Sequence, residues 1–87
     1  MFQESIESFR EKLDKQYSWP AVYTFKFIST KDKTDEVTKL FPRHEVIEKP
    51  SSKGKYISLT IRMMVKSSQE VINVYVEVHK IGGVISL

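Results

Sequence analysis

The chain has 87 residues, of which 40% are hydrophobic and 29% are charged, and its formal net charge is +3 at pH 7. These values predict one folded domain and exclude a disordered chain. The chain contains no cysteine, and its two histidines, His44 and His79, are far apart in sequence. We therefore expect neither disulfides nor a metal site, and no motif indicates a cofactor. Without an apolar run of ~20 residues or a signal-peptide pattern, we expect a cytoplasmic protein with no membrane contact.

The N-terminal segment, residues 3 to 16, has the pattern of an amphipathic helix. Its apolar residues recur at spacings of four, three and four: Phe2, Ile6, Phe9 and Leu13. The helix is expected to end before Pro20, because the residue that precedes a proline is driven out of the helical region. The chain is thus expected to divide into an N-terminal helix, residues 1–18, and a main domain, residues 19–87.

The first predicted strand runs from Ala21 to Ser29. One of its faces carries three aromatic residues: Tyr23, Phe25 and Phe27. Three aromatics on one face of a strand are also found in base-stacking platforms of RNA-binding sheets. We favour a core position for them, because a small domain needs large apolar side chains to fill its interior.

Residues 30–41 predict a short helix that follows a polar turn. Thr34 or Asp32 is expected to cap it, and Pro42 is expected to end it. Its apolar side is formed by Val37, Leu40 and Phe41. Residues 43–49 predict a second strand, with Val46 and Ile47 as its apolar residues.

The most regular strand pattern runs from Ile57 to Val65. Ile57, Leu59, Ile61, Met63 and Val65 alternate with Tyr56, Ser58, Thr60, Arg62 and Met64. One face is therefore aliphatic and the other mostly polar, which predicts a central strand of a sheet that is covered on one side. The turn residues from Pro50 to Lys55 predict a hairpin between this strand and the second one.

The stretch from Lys49 to Lys66 is also rich in positive charge. Five basic residues and no acidic one lie in it: Lys49, Lys53, Lys55, Arg62 and Lys66. Such a cluster indicates a patch for an anionic partner. It equally suits a solvated hairpin whose lysines keep a sheet edge from pairing with other chains, and this second interpretation is the one we favour.

The last segment predicts a helix and a closing strand. Ser67 followed by Glu70 fits the capping-box pattern. The residues at helical spacing after it are Val71, Val74, Tyr75 and Val78. Gly82 and Gly83 are expected to stop the helix, and Val84 to Leu87 then forms a short strand.

The last six elements follow the β-α-β-β-α-β order of the ferredoxin-like fold. We therefore predict an α+β sandwich: a four-stranded antiparallel sheet with two helices on one face, plus an extra N-terminal helix. The expected core is Tyr23, Phe25, Phe27, Ile57, Leu59, Ile61, Met63, Ile85 and Leu87 against Val37, Leu40, Val71, Val74, Tyr75 and Val78. The other face of the sheet is expected to expose Thr24, Lys26, Ser58, Thr60 and Arg62. The extra helix is expected to cover part of that face or to dock on a second subunit.

Three segments resemble the YbeD-like family, a group of small bacterial proteins without characterised function. They are Pro20 with Tyr23–Phe27, the hairpin Lys49–Tyr56, and the stretch from Val74 to the C-terminus. The hairpin is the most specific of the three. The resemblance implies a ferredoxin-like fold that is itself similar to ACT domains, which bind small metabolites at interfaces between domains. The first helix of the main domain is shorter here than in the family, and the N-terminal segment is longer.

No catalytic constellation is present in the sequence. The chain lacks a nucleotide phosphate loop and a nucleophile with a base at recognisable spacing, so we do not expect an enzyme. We expect a regulatory or interaction module that binds another protein or a second copy of itself. An oligomeric, ACT-like metabolite sensor and a weak nucleic-acid binder that uses the basic hairpin remain alternatives. The candidate binding residues are Lys26, Pro50, Ser51, Ser52, Lys53, Gly54, Lys55, Tyr56 and Arg62.

Overall fold

A computed structural model describes the backbone of residues 2–87 and side chains from Ile6 onward. The elements are α1 (Phe2–Gln16), β1 (Ala21–Thr30), a 3-10 turn (Lys31–Lys33), α2 (Thr34–Thr38), β2 (Val46–Pro50), β3 (Tyr56–Val65), α3 (Ser68–His79) and β4 (Val84–Ser86). The side chain of Phe2, which belongs to the predicted apolar stripe of α1, lies outside the described residues.

The four strands form one antiparallel sheet in the order β2-β3-β1-β4. The two central strands pair over their whole length, from Ala21 opposite Val65 to Thr30 opposite Tyr56. This strand order is that of the ferredoxin-like fold, and α1 is the additional helix. The predicted fold class is therefore confirmed.

The hydrophobic core lies between one face of the sheet and the helices. Phe25, Phe27, Leu59 and Ile61 from the central strands are fully buried, and Val71 of α3 is buried against them. Each such side chain contributes ~1.5–3 kcal/mol relative to an exposed position, so these residues dominate the stability of the sandwich. The aromatic residues of β1 lie in the core, as their alternation predicted.

Helix α1 packs on the helical side of the sheet. Leu13 is buried in the core, and the rings of Phe9 and Tyr75 meet edge to face with centroids 5.6 Å apart. The expectation that α1 covers part of the opposite face is therefore wrong. At the end of α1, Tyr17 stacks on Trp19, whose indole Nε1 donates a hydrogen bond of 2.9 Å to Asp14 Oδ1. These aromatic residues thus help to close the core.

The segment after β1 differs from its predicted form. A 3-10 turn precedes α2, which spans only Thr34–Thr38, and β2 begins at Val46. Neither Thr34 nor Asp32 caps α2, whose N-cap position is Lys33. The buried hydroxyl of Thr34 lies 3.2 Å from Ser29 Oγ and connects the turn to β1. Leu40 lies beyond α2 and is exposed. The apolar pattern covers barely two turns, which is too short to define where a helix begins and ends.

In the C-terminal strand, the side chains that point to the core are not the predicted ones. Ile85 pairs with Ile28 and points away from the core, with 61% of its surface exposed. Leu87, which follows the strand, is exposed on the helical side. Val84 packs against the core instead. Because side chains in a strand alternate between the two faces, a shift of one residue in the pairing register moves each side chain of the strand to the other face of the sheet.

Candidate functional site

The helices leave one side of the sheet uncovered by the described part of the chain. We call this side the open face. Its members alternate with the core residues along each strand: Val22, Thr24, Lys26, Ile28, Thr30, Ile47, Lys49, Tyr56, Ser58, Thr60, Arg62, Met64 and Ile85. The prediction that Thr24, Lys26, Ser58, Thr60 and Arg62 share this face is consistent with the strand register.

The open face carries more apolar surface than its sequence pattern indicated. Val22 pairs with Met64 at one end of the face, and Ile28 pairs with Ile85 nearer the other end. Met64 is 58% exposed and Ile47 is 53% exposed. Apolar groups exposed together on one face are typical of surfaces that bind another molecule.

The charges on the open face are all positive. Lys26, Lys49 and Arg62 are exposed, and no aspartate or glutamate belongs to the face. Arg62 pairs with Thr24, two residues from Lys26, so the two cations are diagonal neighbours on adjacent strands. Within the described residues, neither the two lysines nor Arg62 forms an ion pair. The face therefore presents cations that are free to meet anionic groups of a partner.

The hairpin loop adjoins the open face through Tyr56. The loop is closed by a hydrogen bond from the Ser51 amide to the Tyr56 carbonyl (2.8 Å) and one from the Gly54 amide to the Ser51 carbonyl (2.9 Å). Gly54 has φ +70°, a left-handed conformation that glycine adopts without steric cost. The ammonium group of Lys55 lies 5.7 Å from the centroid of the Tyr56 ring. The basic loop thus extends the open face and does not form a separate binding site.

The structure brings the predicted binding residues together only in part. Lys26, Tyr56 and Arg62 lie on the open face, whereas the residues from Pro50 to Lys55 are exposed at its end. Tyr56 is the only aromatic residue among the members of the face, so a base-stacking platform is not formed there.

Four apolar members of the open face were missed by sequence reasoning: Val22, Ile28, Ile47 and Ile85. The alternation of β1 places Val22 and Ile28 on the same side as Lys26, so their position on the open face could have been predicted from the sequence. Ile47 and Ile85 lie on the two outer strands. The face on which each lies is determined by the pairing register with β3 and β1, and the sequence does not specify that register.

The described residues contain no cluster of three or more His, Cys, Asp or Glu side chains that could hold a metal ion. A hydrogen bond from the Thr30 side chain lowers the pKa of Asp32, and burial raises the pKa of Tyr75. Neither of these groups belongs to the open face. Among the helices described, none has the length and apolar character required to traverse a bilayer.

Comparison with known proteins identifies a family. The family described as "protein of unknown function (DUF493)" matches residues 14–87. A UPF0250 protein of Shewanella sediminis is 34% identical over 80 residues, which cover 84% of this chain and 91% of the relative. A UPF0250 protein of Shewanella oneidensis is 32% identical over the same shares of the two chains. No solved structure gives a significant match. The predicted resemblance is confirmed, and the chain belongs to this family of small bacterial proteins of unknown function.

Proposed function

We propose that the protein is a non-catalytic interaction module whose open face binds an acidic, partly apolar surface of another protein. The observation that supports this proposal is the composition of the face: exposed aliphatic side chains such as Met64 and Ile85 surround Lys26 and Arg62, without any acidic residue. Apolar contacts supply most of the free energy of such an association, and complementary charges supply specificity and a fast association rate.

The charge of the open face argues against a second copy of the chain as the occupant. In a symmetric dimer, the interface uses the same surface of both subunits, so the open face of one subunit would contact the open face of the other. Lys26, Lys49 and Arg62 would then face the same three cations, with no carboxylate on the face to offset them. Like charges placed together at an interface cost several kcal/mol. A partner with acidic residues opposite these positions avoids that cost.

The experiment compares the wild type with two charge-reversed variants in affinity capture from the native cell lysate. Lys26→Glu/Arg62→Glu reverses two cations of the open face. Lys12→Glu/Lys39→Glu makes the same change of net charge at exposed positions outside it. Each captured protein is identified by mass spectrometry, purified and titrated against the three proteins by calorimetry. We expect the first variant to bind at least about tenfold more weakly, a loss of ~1.4 kcal/mol, and the second to bind like the wild type.

Three outcomes would contradict the proposal. Equal binding by both variants would show that the open face is not used. Capture that disappears on nuclease treatment would indicate nucleic acid instead. A stable dimer in sedimentation velocity, broken by the Lys26→Glu/Arg62→Glu change, would make a second copy the occupant.

A further inference from the structure

A cavity of about 440 Å³ lies on the helical side, between α1, α3, β1 and the end of the chain. It exists because β4 spans three residues and pairs with β1 only from Phe27 to Ser29. No described strand lies beside the outer edge of β1 from Ala21 to Phe25. Residues of the two helices and of the C-terminal segment line the space beside this edge. The cavity is separate from the open face, so a ligand bound in it would be independent of the proposed function.

Most of the cavity wall is apolar. Ile6 and Phe9 contribute from α1, Ile72 and Val76 from α3, and Leu87 from the C-terminus. Its volume falls in the range of ~300–1,000 Å³ that is typical of sites for small molecules. A site of this size and lining favours a compact apolar body over a folded protein domain.

The polar side chains that line the cavity can each donate a hydrogen bond: Tyr23, Tyr75, His79 and Ser86. The hydroxyl oxygens of Tyr23 and Tyr75 are 3.0 Å apart, and either one donates to the other. Each hydroxyl has one proton to donate, so their mutual bond leaves one proton for another acceptor. His79, which is exposed, also lines the cavity, and from Ile6 onward, where side chains are described, no aspartate or glutamate lines it. Burial raises the pKa of Tyr75, which keeps its hydroxyl protonated near neutral pH.

We propose that this cavity binds a small molecule with an apolar body and one carboxylate, and that the tyrosine pair and His79 hold the carboxylate. A carboxylate accepts hydrogen bonds only, which matches the free proton of the tyrosine pair and the donor of the His79 imidazole. Hydrogen bonds to a charged acceptor are roughly twice as strong as neutral ones, so the carboxylate determines the preference among ligands of similar size. The aliphatic and aromatic wall then contacts the apolar body of the ligand.

Two probes with the same ring test the proposal: indole-3-propionate, which carries a carboxylate, and 3-methylindole, which does not. Each is titrated into the isotope-labelled full-length chain and followed by amide chemical shifts. We expect saturable shifts at residues around the cavity, among them Phe9, Tyr75 and Leu87, and about tenfold tighter binding of the carboxylate probe. Shifts confined to Val22 and Met64 on the open face, or no saturation, would overturn the proposal.

Two variants locate the groups responsible. Tyr23→Phe/Tyr75→Phe removes both hydroxyls and keeps the shape of the wall; because neither partner is left alone, we expect it to fold. It should bind 3-methylindole like the wild type and lose most of the preference for indole-3-propionate. An unchanged preference would overturn the role of the tyrosine pair. Val76→Trp fills the cavity and should weaken the binding of both probes. Dispersed amide spectra will show that each variant is folded.

Discussion

The hydroxyl oxygens of Tyr23 on β1 and Tyr75 on α3 lie 3.0 Å apart and join the sheet to the helix across the sandwich. The two rings meet at 90° with centroids 6.4 Å apart, and the Tyr75 ring also contacts Phe9, Phe25 and Phe27 edge to face. Tyr75 thus links α1, α3 and β1. This position makes the pair sensitive to substitution at either residue.

Tyr75→Phe should lower the free energy of unfolding by about 1 kcal/mol, because the partly buried Tyr23 hydroxyl loses its partner. Tyr23→Phe should have a similar effect. The double variant should cost less than the sum of the two, since no hydroxyl remains unpaired. Urea denaturation of the four proteins gives the coupling energy, and strict additivity would show that the hydroxyls do not interact.

The same pair predicts a pH dependence of stability. Burial, followed by the hydrogen bond with Tyr23, raises the pKa of Tyr75 above its ordinary value of 10.0. The folded state therefore favours the neutral phenol. This contribution to stability is complete below about pH 10 and is lost as the pH rises toward the folded-state pKa. The free energy of unfolding of the wild type should fall above about pH 10 more steeply than that of Tyr75→Phe. Parallel curves in urea denaturation at alkaline pH would contradict this assignment.

The central strands were the predictable part of the fold. The alternation of Phe25 and Phe27 in β1, and of Leu59 and Ile61 in β3, extends over enough residues to specify strand, facing and burial together. The element order then fixes the ferredoxin-like topology. Ile85 could not be placed in the same way, because three residues of β4 contain too few alternations to define which side chain faces the core.

The open face was predictable in its polar members and not in its apolar ones. Lys26 and Arg62 alternate with core residues, so their exposure follows from the pattern. Ile47 and Ile85 would be assigned to a core by hydrophobicity alone, and only their register with neighbouring strands places them outside. Positions at which a local sequence rule fails are commonly functional or strained sites.

The start of α3 predicts a measurable capping effect. The Ser67 side chain accepts a hydrogen bond of 3.3 Å from the Glu70 amide, and Glu70 Oε1 accepts one of 3.2 Å from the Lys66 amide. Ser67→Ala should therefore lower the free energy of unfolding by about 1 kcal/mol, and Ser67→Asn should restore most of it. Ser52→Ala in the exposed hairpin loop is the matched control. Equal urea midpoints for Ser67→Ala and Ser52→Ala would contradict the capping role.

Substitutions of two adjacent methionines on β3 allow the effect on binding at the open face to be measured separately from the effect on core stability. Met64 is 58% exposed on the open face, whereas Met63 packs against the hydrophobic core. Met64→Ser should change the free energy of unfolding by less than about 0.5 kcal/mol, since the side chain loses few contacts.

The same change should weaken partner binding several-fold, because the apolar contact that Met64 offers a partner is removed. Met63→Ser, the control, should instead cost about 2 kcal/mol of stability through the cavity that it leaves. Urea denaturation and calorimetric titration of the captured partner measure both quantities for each variant. A folded Met64→Ser protein that binds like the wild type would remove this end of the face from the proposed interface. A loss of binding by Met64→Ser with unchanged stability would place Met64 in direct contact with the partner.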